Sequence, residues 1–484
     1  MLHDQRVSLT FVGSKQYPRK VPFSPSEKFP EYSGNSFDPE NEVYSAVRKL
    51  LFDLGMDREN FGTPVWNPFK DFIQPGMTVF IKPNTVTHRH GKGSDIFSAI
   101  VHASVVRPVI DYVLIALKEE GKIIIGDSPL IMSEFDKAMA TSQITPLLEW
   151  YGNNTRVSFE CIDLRTVRAV RSYLYGRWAR KPVNQDRLGY TPVNLGTQSC
   201  FEGIDPARLR IAIASHENMK KYHSAGNHRY LFPNSFLASD VVISLPKLKT
   251  HRRTAVTLAL KNFMGIPSLK DSLPHFITGS PQEGGDQYIN PSFRKRIITQ
   301  LHDQIQSSPY MPVKFVCAVA KKALWNTHKV FPFKDNVYEA MWHGNDTLWR
   351  TLMDLNRAAL YAGKDGVMRE TQQRSYFCII DGITGGEKEG PLEPDPVSSG
   401  VLLAGFNPVA MDAVGATLMG FNYKKIPLIR KCFEASAGDY PLSAAGPEGI
   451  VISDGQRAIS LAELPSLYNL KFEPHPGWKG NVEL

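Results

Sequence analysis

Apolar residues in this chain gather into short runs that stop abruptly at polar, Gly- or Pro-containing segments, and the same grammar recurs along its length. Met77 to Ile81 ends in Lys82-Pro83-Asn84, Ile123 to Ile125 in Gly126-Asp127-Ser128-Pro129, and Val241 to Leu245 in Pro246-Lys247-Leu248-Lys249-Thr250-His251. Further on, Phe377 to Ile380 leads into Asp381-Gly382-Ile383-Thr384-Gly385-Gly386-Glu387, and Val401 to Ala404 into Gly405-Phe406-Asn407-Pro408. Continuous apolar runs, rather than alternation, indicate strands covered on both faces, as in a parallel sheet packed between helices. Between the first two runs, Ser104 to Glu120 carries Val105, Val106, Val109, Ile110, Val113, Leu114 and Leu117 at helical spacing, with Ser104 placed as a cap and Gly121 as a stop. Strand, helix and strand there make a βαβ unit. The expected fold class is α/β: a mainly parallel sheet covered by helices on both faces, with a helical and loop-rich subdomain.

The remaining patterns divide the chain. Val7 to Val12 reads as a strand followed by a surface arm, and Glu42 to Leu54 as a helix with Val43, Val47, Leu50, Leu51 and Leu54 on one face. The expected organisation is an N-terminal strand, arm and helix over 1–76, and an α/β core over 77–267 and 377–465 with an insertion at 130–205. A helical and loop-rich subdomain over 268–376 and a C-terminal tail over 466–484 complete it.

In open α/β sheets ligands bind beyond the carboxyl ends of the strands, so the polar strand ends are where chemistry is sought. Lys247, Lys249 and Lys261, with Arg252 and Arg253 between them, suit a phosphate, carboxylate or nucleotide. The stretch Thr254 to Phe263 is expected to be helical, its first amides reinforcing anion binding. A solvated basic turn is the competing reading. Asn84, Asp127, Ser128, Asn262, Gly385 and Gly386 complete the expected substrate-binding set, the glycines by permitting close backbone approach. His251, His275 and Asp381 are the catalytic candidates, as ligands or acid–base groups. His223, His228 and Asp286 are candidate metal ligands, because imidazole and carboxylate together suit Zn, Fe, Mn or Ni. Their spacing fits no standard ligand motif, and a hydrogen-bonded core role competes for each histidine. Asp412, among small apolar residues after Asn407-Pro408, is expected to be partly buried and to find a cation or hydrogen-bond donor.

Composition narrows these readings. At 484 residues with 42% hydrophobic content, one large elaborated domain or two packed ones are expected. No apolar stretch is long enough to span a membrane and none opens the chain, so a cytoplasmic protein is expected. The net charge of +8 is spread out, and nucleic-acid binding through the basic cluster from Arg165 to Arg180 rests on charge alone. Five cysteines lie far apart, without the close pairing of a zinc or iron–sulfur motif, so no iron–sulfur cluster of its own is expected. A divalent metal stays open.

Several of these blocks, taken in order, resemble the domain of unknown function 362 family. They are Ile81-Lys82-Pro83-Asn84, Gly126-Asp127-Ser128-Pro129, Ser244 to His251 with Ala259-Leu260-Lys261-Asn262, Asp381-Gly382-Ile383 with Gly385-Gly386, and Asn407-Pro408-Val409-Ala410-Met411-Asp412 running into Met419-Gly420. They span about residues 79–421. Leu273-Pro274-His275, the stretch from Gly279 to Asp286, and Gly344-Asn345-Asp346-Thr347-Leu348-Trp349-Arg350 resemble a subset found among genes for surface-polysaccharide or secondary-metabolite synthesis. That association points to bacterial or archaeal small-molecule chemistry. Other members carry a ferredoxin-type domain with closely spaced cysteines, which this chain lacks. The resemblance implies a fold and a site, and no reaction. The expected function is an enzyme acting on an anionic (phosphorylated or nucleotide-linked) small molecule, with metal dependence left open. The alternative is a non-catalytic metabolite- or partner-binding protein in a biosynthetic pathway.

Overall fold

The apolar runs do become strands of one sheet. A computed structural model of the chain describes residues 2–172, 177–211, 216–327 and 337–484. Eleven strands form the main sheet: β1 (Arg6–Phe11), β2 (Thr78–Pro83), β3 (Lys122–Asp127), β4 (Ser158–Asp163), β5 (Val241–Leu245), β6 (Lys247–His251), β7 (Ala255–Thr257), β8 (Ser375–Glu387), β9 (Asp395–Gly405), β10 (Val451–Ser453) and β11 (Ala458–Ser460). Hydrogen bonding orders them β11-β10-β1-β9-β8-β5-β2-β3-β4, with β6 attached to β8 and β7 to β6. Neighbours from β8 through β5, β2 and β3 to β4 are parallel, in a register that sets Ile81 opposite both Ile243 and Ile125.

Alternation along each strand builds a core on both faces. Phe80, Ile124, Val242 and Tyr376 point to one side, where they pack with Leu260, helix α4 (Leu348–Tyr361) and helix α5 (Pro408–Leu418). Val79, Ile81, Ile123, Ile125 and Ile243 point to the other, against helices α1 (Glu42–Asp53) and α2 (Ala103–Leu117). Two covered faces explain why these strands read as continuous apolar runs. The class is α/β, with a mixed, mostly parallel sheet. Among the described residues no helix is long and apolar enough to cross a membrane.

Several local expectations are corrected. β9 is antiparallel to β8, because the short connection 388–394 permits a hairpin and a parallel return needs a crossover of a dozen or more residues. Residues 130–205, read as an insertion over the sheet edge, contribute the edge strand β4, whose first four residues are exposed or half-exposed, so it forms no continuous apolar run. The segment expected to be a polar loop after β5 is itself a strand, β6. Thr254 to Phe263, expected to be helical, forms β7 and then only the single-turn helix α3 (Ala259–Asn262). Helix α2 is capped by His102, whose side chain accepts from the Ser104 amide, and it ends at a left-handed Lys118 rather than at Gly121. Within 268–376, Phe293–Ser307 and Met311–Asn326 pair as an outer helical hairpin, whereas α4 belongs to the main core.

Candidate functional site

A cavity of about 150 Å³ lies where the carboxyl ends of β2 and β3 meet β6 and the segment that follows it. β2 delivers Lys82 and Asn84, β3 delivers Asp127 and Ser128, and β6 delivers Lys249 and His251. Lys249 and His251 share a face because they are two residues apart on a strand. A register shift between Lys247 and Lys249 breaks that face, and Lys247 does not line the cavity. Thr257, Lys261, Asn262, Gly265, Lys270 and His275 close the opposite wall.

The back of the cavity is a satisfied polar frame. Lys82 Nζ lies 2.8 Å from Asp127 Oδ1, and both side chains are buried. Asp127 Oδ2 accepts from the Thr85 amide at 2.8 Å and the Thr85 hydroxyl at 2.7 Å. The Ser128 hydroxyl donates to Pro267 O at 2.9 Å, and Asn262 Nδ2 donates to Lys82 O and Ser244 Oγ, each at 2.9 Å. These groups position the wall more than they present free donors. Asn84 Oδ1 and Thr257 Oγ1 are buried with no hydrogen-bond partner among the described residues.

Charge in the cavity is unbalanced. Asp127, the only carboxylate lining it among the described residues, is taken by Lys82, while Lys249, Arg252, Arg253, Lys261 and Lys270 also line it. Arg253 reaches Glu339 at 3.3 Å. Lys249 Nζ donates to the carbonyls of Ala99 and Pro391, and Lys270 Nζ to Met264 O at 2.6 Å. Among the described residues, neither the Lys261 ammonium nor the Arg252 guanidinium has an ion-pair partner. Burial, with Arg253 and Arg252 nearby, pulls Lys261 down to about 7, and burial pulls Lys270 down to about 7 although Asp127 opposes it. Lys249 is depressed further, by burial and then by Lys261 and Lys247.

The two histidines are held in opposite tautomers. His275 Nδ1 lies 2.8 Å from Leu273 O, which can only accept, so Nδ1 carries the hydrogen and Nε2 a lone pair. His251 Nδ1 accepts from the Arg253 amide at 3.1 Å, so its hydrogen sits on Nε2. Burial, reinforced by neighbouring cations, keeps both rings well below the usual histidine range and therefore neutral. One ring offers a donor to the cavity and the other an acceptor.

The other expected residues lie elsewhere. Asp381 Oδ2 is 2.9 Å from Lys247 Nζ, and Asp381 Oδ1 accepts from the Tyr17 hydroxyl at 2.6 Å, with no exposure at Lys247 or Asp381. This knot staples the N-terminal arm to the sheet, so His251, His275, Asp286 and Asp381 do not form one common site. Gly385 and Gly386 have no room for a side chain because Phe472, Ser98 O and Pro394 press on them, which is a packing constraint. His223 Nε2 donates to Ser272 O at 2.8 Å, His223 and His228 meet Nδ1 to Nδ1 at 3.3 Å, and His228 Nε2 reaches Glu202 at 3.1 Å. Asp286 accepts from the Ile277 and Asp346 amides and the Thr347 hydroxyl, and burial lifts it to about 6. The three expected metal ligands are thus engaged in two separate networks. Among the described residues no group of three or more His, Cys, Asp or Glu side chains comes together to hold a metal.

The expected helix-terminus contribution also changes. The first amides of α3, at Ala259 and Leu260, both donate to Asp412 Oδ1, so they face a carboxylate of the core. Lys82 and Lys270 were missed. Lys82 ends an apolar run just as Lys247 does and was open to the same argument, whereas Lys270 sits alone in a loop and carries no local signal. Part of the Arg165 to Arg180 cluster, residues 173–176, lies outside the described residues.

Fold and site together define an α/β protein with a cation-rich cavity at the carboxyl ends of its parallel strands. The chain belongs to the family described as Domain of unknown function (DUF362), whose sequence profile matches residues 158–417. No curated protein and no solved structure matches it.

Proposed function

We propose that the protein is an enzyme that holds a small anionic molecule in this cavity and moves a proton on it. One observation carries the reading: Lys249, Arg252, Lys261 and Lys270 converge on a cavity in which the one carboxylate among the described residues, Asp127, is already paired with Lys82. Partly buried cations gathered without counterions repel one another, and a bound phosphate or carboxylate relieves that repulsion through charge-assisted hydrogen bonds. About 150 Å³ accommodates a charged group and a short remainder, so a nucleotide-linked molecule would place only its charged end inside. His251 Nε2–H and the His275 Nε2 lone pair supply a donor and a proton acceptor at neutral pH. A purely binding site needs no such pair.

The test is a thermal-shift panel of sulfate, phosphate, pyrophosphate, small carboxylates and sugar phosphates, at constant ionic strength. At least one should raise Tm in the wild type and lose its effect in Arg252→Ala. Turnover of the best binder should then disappear in His275→Gln while binding persists. A panel in which no anion acts beyond ionic strength would overturn the reading.

A further inference from the structure

Lys261 stands apart from the other cations of the cavity. Lys82 is paired with Asp127, Lys249 is held by two carbonyls, and Lys270 donates to Met264 O. Lys261 alone among these lysines has no acceptor for its amine among the described residues, although it lines the same cavity. It projects from α3, whose backbone is anchored by Asp412 through the Ala259 and Leu260 amides and by Asn262 through Lys82 O and Ser244 Oγ. The amine is thus presented from a fixed wall into the cavity with nothing to hold it as an ammonium. A lysine desolvated beside other cations is the setting in which an amine becomes a nucleophile toward a carbonyl.

The geometry points to Lys261 as a covalent catalytic residue that forms an imine with a small 2-oxo acid. This rests on the reading of the cavity as an anion site. Arg252, a cavity cation with no ion-pair partner among the described residues, takes the carboxylate, and the amine takes the adjacent carbonyl. A cavity of about 150 Å³ suits an acid of pyruvate size. In the step, the Lys261 nitrogen lone pair attacks the carbonyl carbon and the carbonyl π electrons move to oxygen. A proton passes from nitrogen to oxygen, with His275 Nε2 as acceptor and then donor; the carbinolamine hydroxyl takes one further proton from solvent and leaves as water, while the nitrogen lone pair forms the C=N bond and keeps its hydrogen as a protonated imine. No oxidant or reductant is required. The imine then withdraws electrons from the neighbouring carbon, and His275, neutral again, can accept a proton from it. The amine fraction this chemistry needs is present at neutral pH, since burial and the two arginines bring Lys261 down to about 7.

The test is reductive trapping of the whole chain with pyruvate and borohydride, read by intact mass and peptide mapping, beside thermal shifts with pyruvate and sulfate. The expected result is one adduct on Lys261, formed at least tenfold faster than on any other lysine and suppressed by sulfate. Trapping should rise as pH passes about 7, vanish in Lys261→Met and survive in Lys137→Met, which removes an exposed lysine outside the cavity. If pyruvate raises Tm but Lys261 gains no adduct, or surface lysines react equally, the covalent role is overturned and the anion cavity stands. If neither pyruvate nor sulfate shifts Tm, the cavity reading falls and this inference with it. Mapping on the wild type decides even if Lys261→Met does not fold.

Discussion

His251 and His275 line one cavity in opposite tautomeric forms, fixed by the Arg253 amide donating to His251 Nδ1 at 3.1 Å and by His275 Nδ1 donating to Leu273 O at 2.8 Å. Both contacts are to backbone, so the donor and acceptor facing the cavity are set by the fold itself. Around them the positive charge exceeds the negative, and the consequences of that imbalance are measurable.

Anion affinity should fall as pH rises through about 7, because Lys261 and Lys270 give up protons there. His251 and His275 stay neutral well below the usual histidine range, so no separate step near their ordinary value is expected. Sulfate is the suitable probe, since its own charge does not change over this interval. Calorimetric titrations from about pH 6 to 8 should show weakening toward the alkaline end, and a flat profile would count against these lysines as the binding groups.

Gly265 sits against the Lys82–Asp127 pair, and a Cβ added there would collide with Asp127 Oδ1 and come within 2.7 Å of Lys82 Nζ. Gly265→Ala should therefore disrupt a buried ion pair on the cavity wall. Breaking such a pair typically costs about 3–5 kcal/mol, and sulfate binding should weaken with it. Urea denaturation and titration of the same variant check both effects, and an unchanged midpoint would contradict the packing described.

Asp381, expected to be catalytic, belongs to the buried Lys247–Asp381–Tyr17 knot. Asp381→Asn leaves Lys247 without its counter-charge and should destabilise the chain by about 3–5 kcal/mol. Sulfate affinity of the folded variant should stay within about twofold, a change of under 0.5 kcal/mol. A tenfold loss of affinity without loss of stability would return Asp381 to the site.

Asp412 gives a stability signature with a definite sign. Burial raises it from 3.8 to about 8 in the folded chain, because its two amide contacts only partly offset desolvation and Oδ2 has no partner among the described residues. The folded state holds this proton over a range where the unfolded state has released it, so stability from this group is full below pH 3.8 and lost as pH rises to about 8. Asp412→Asn cannot titrate. The difference in unfolding free energy between variant and wild type should shift in the variant's favour across that window, measured by urea denaturation at a series of pH values.

Much of the sheet was legible because two-sided burial writes itself as apolar runs: Ile123 to Ile125 and Val241 to Leu245 are strands where the pattern placed them. β4 was hidden because an edge strand exposes one side, so Ser158, Glu160 and Cys161 dilute the apolar signal. β6 was hidden for a different reason. Lys-Leu-Lys-Thr-His alternates as a strand does, but its charges suggested solvent, whereas Lys247 and Lys249 are fully buried by using Asp381 and backbone carbonyls as partners. Strand-end position pointed equally to Lys249 and His251, which line the cavity, and to Lys247 and Asp381, which do not, since a register shift separates Lys247 from Lys249. The convergence of Lys261, Lys270 and His275 depends on how residues 257–275 fold back over the strand ends, which no local pattern encodes.

The most direct measurement of the central claim is calorimetric titration of sulfate into the wild type and into the double variant Lys261→Met/Arg252→Ala at pH 6.5 and fixed ionic strength. The account predicts a single saturable site in the wild type, weakened at least tenfold, or about 1.4 kcal/mol, in the variant. Equal binding by the two proteins, or no saturable binding by the wild type, would contradict it.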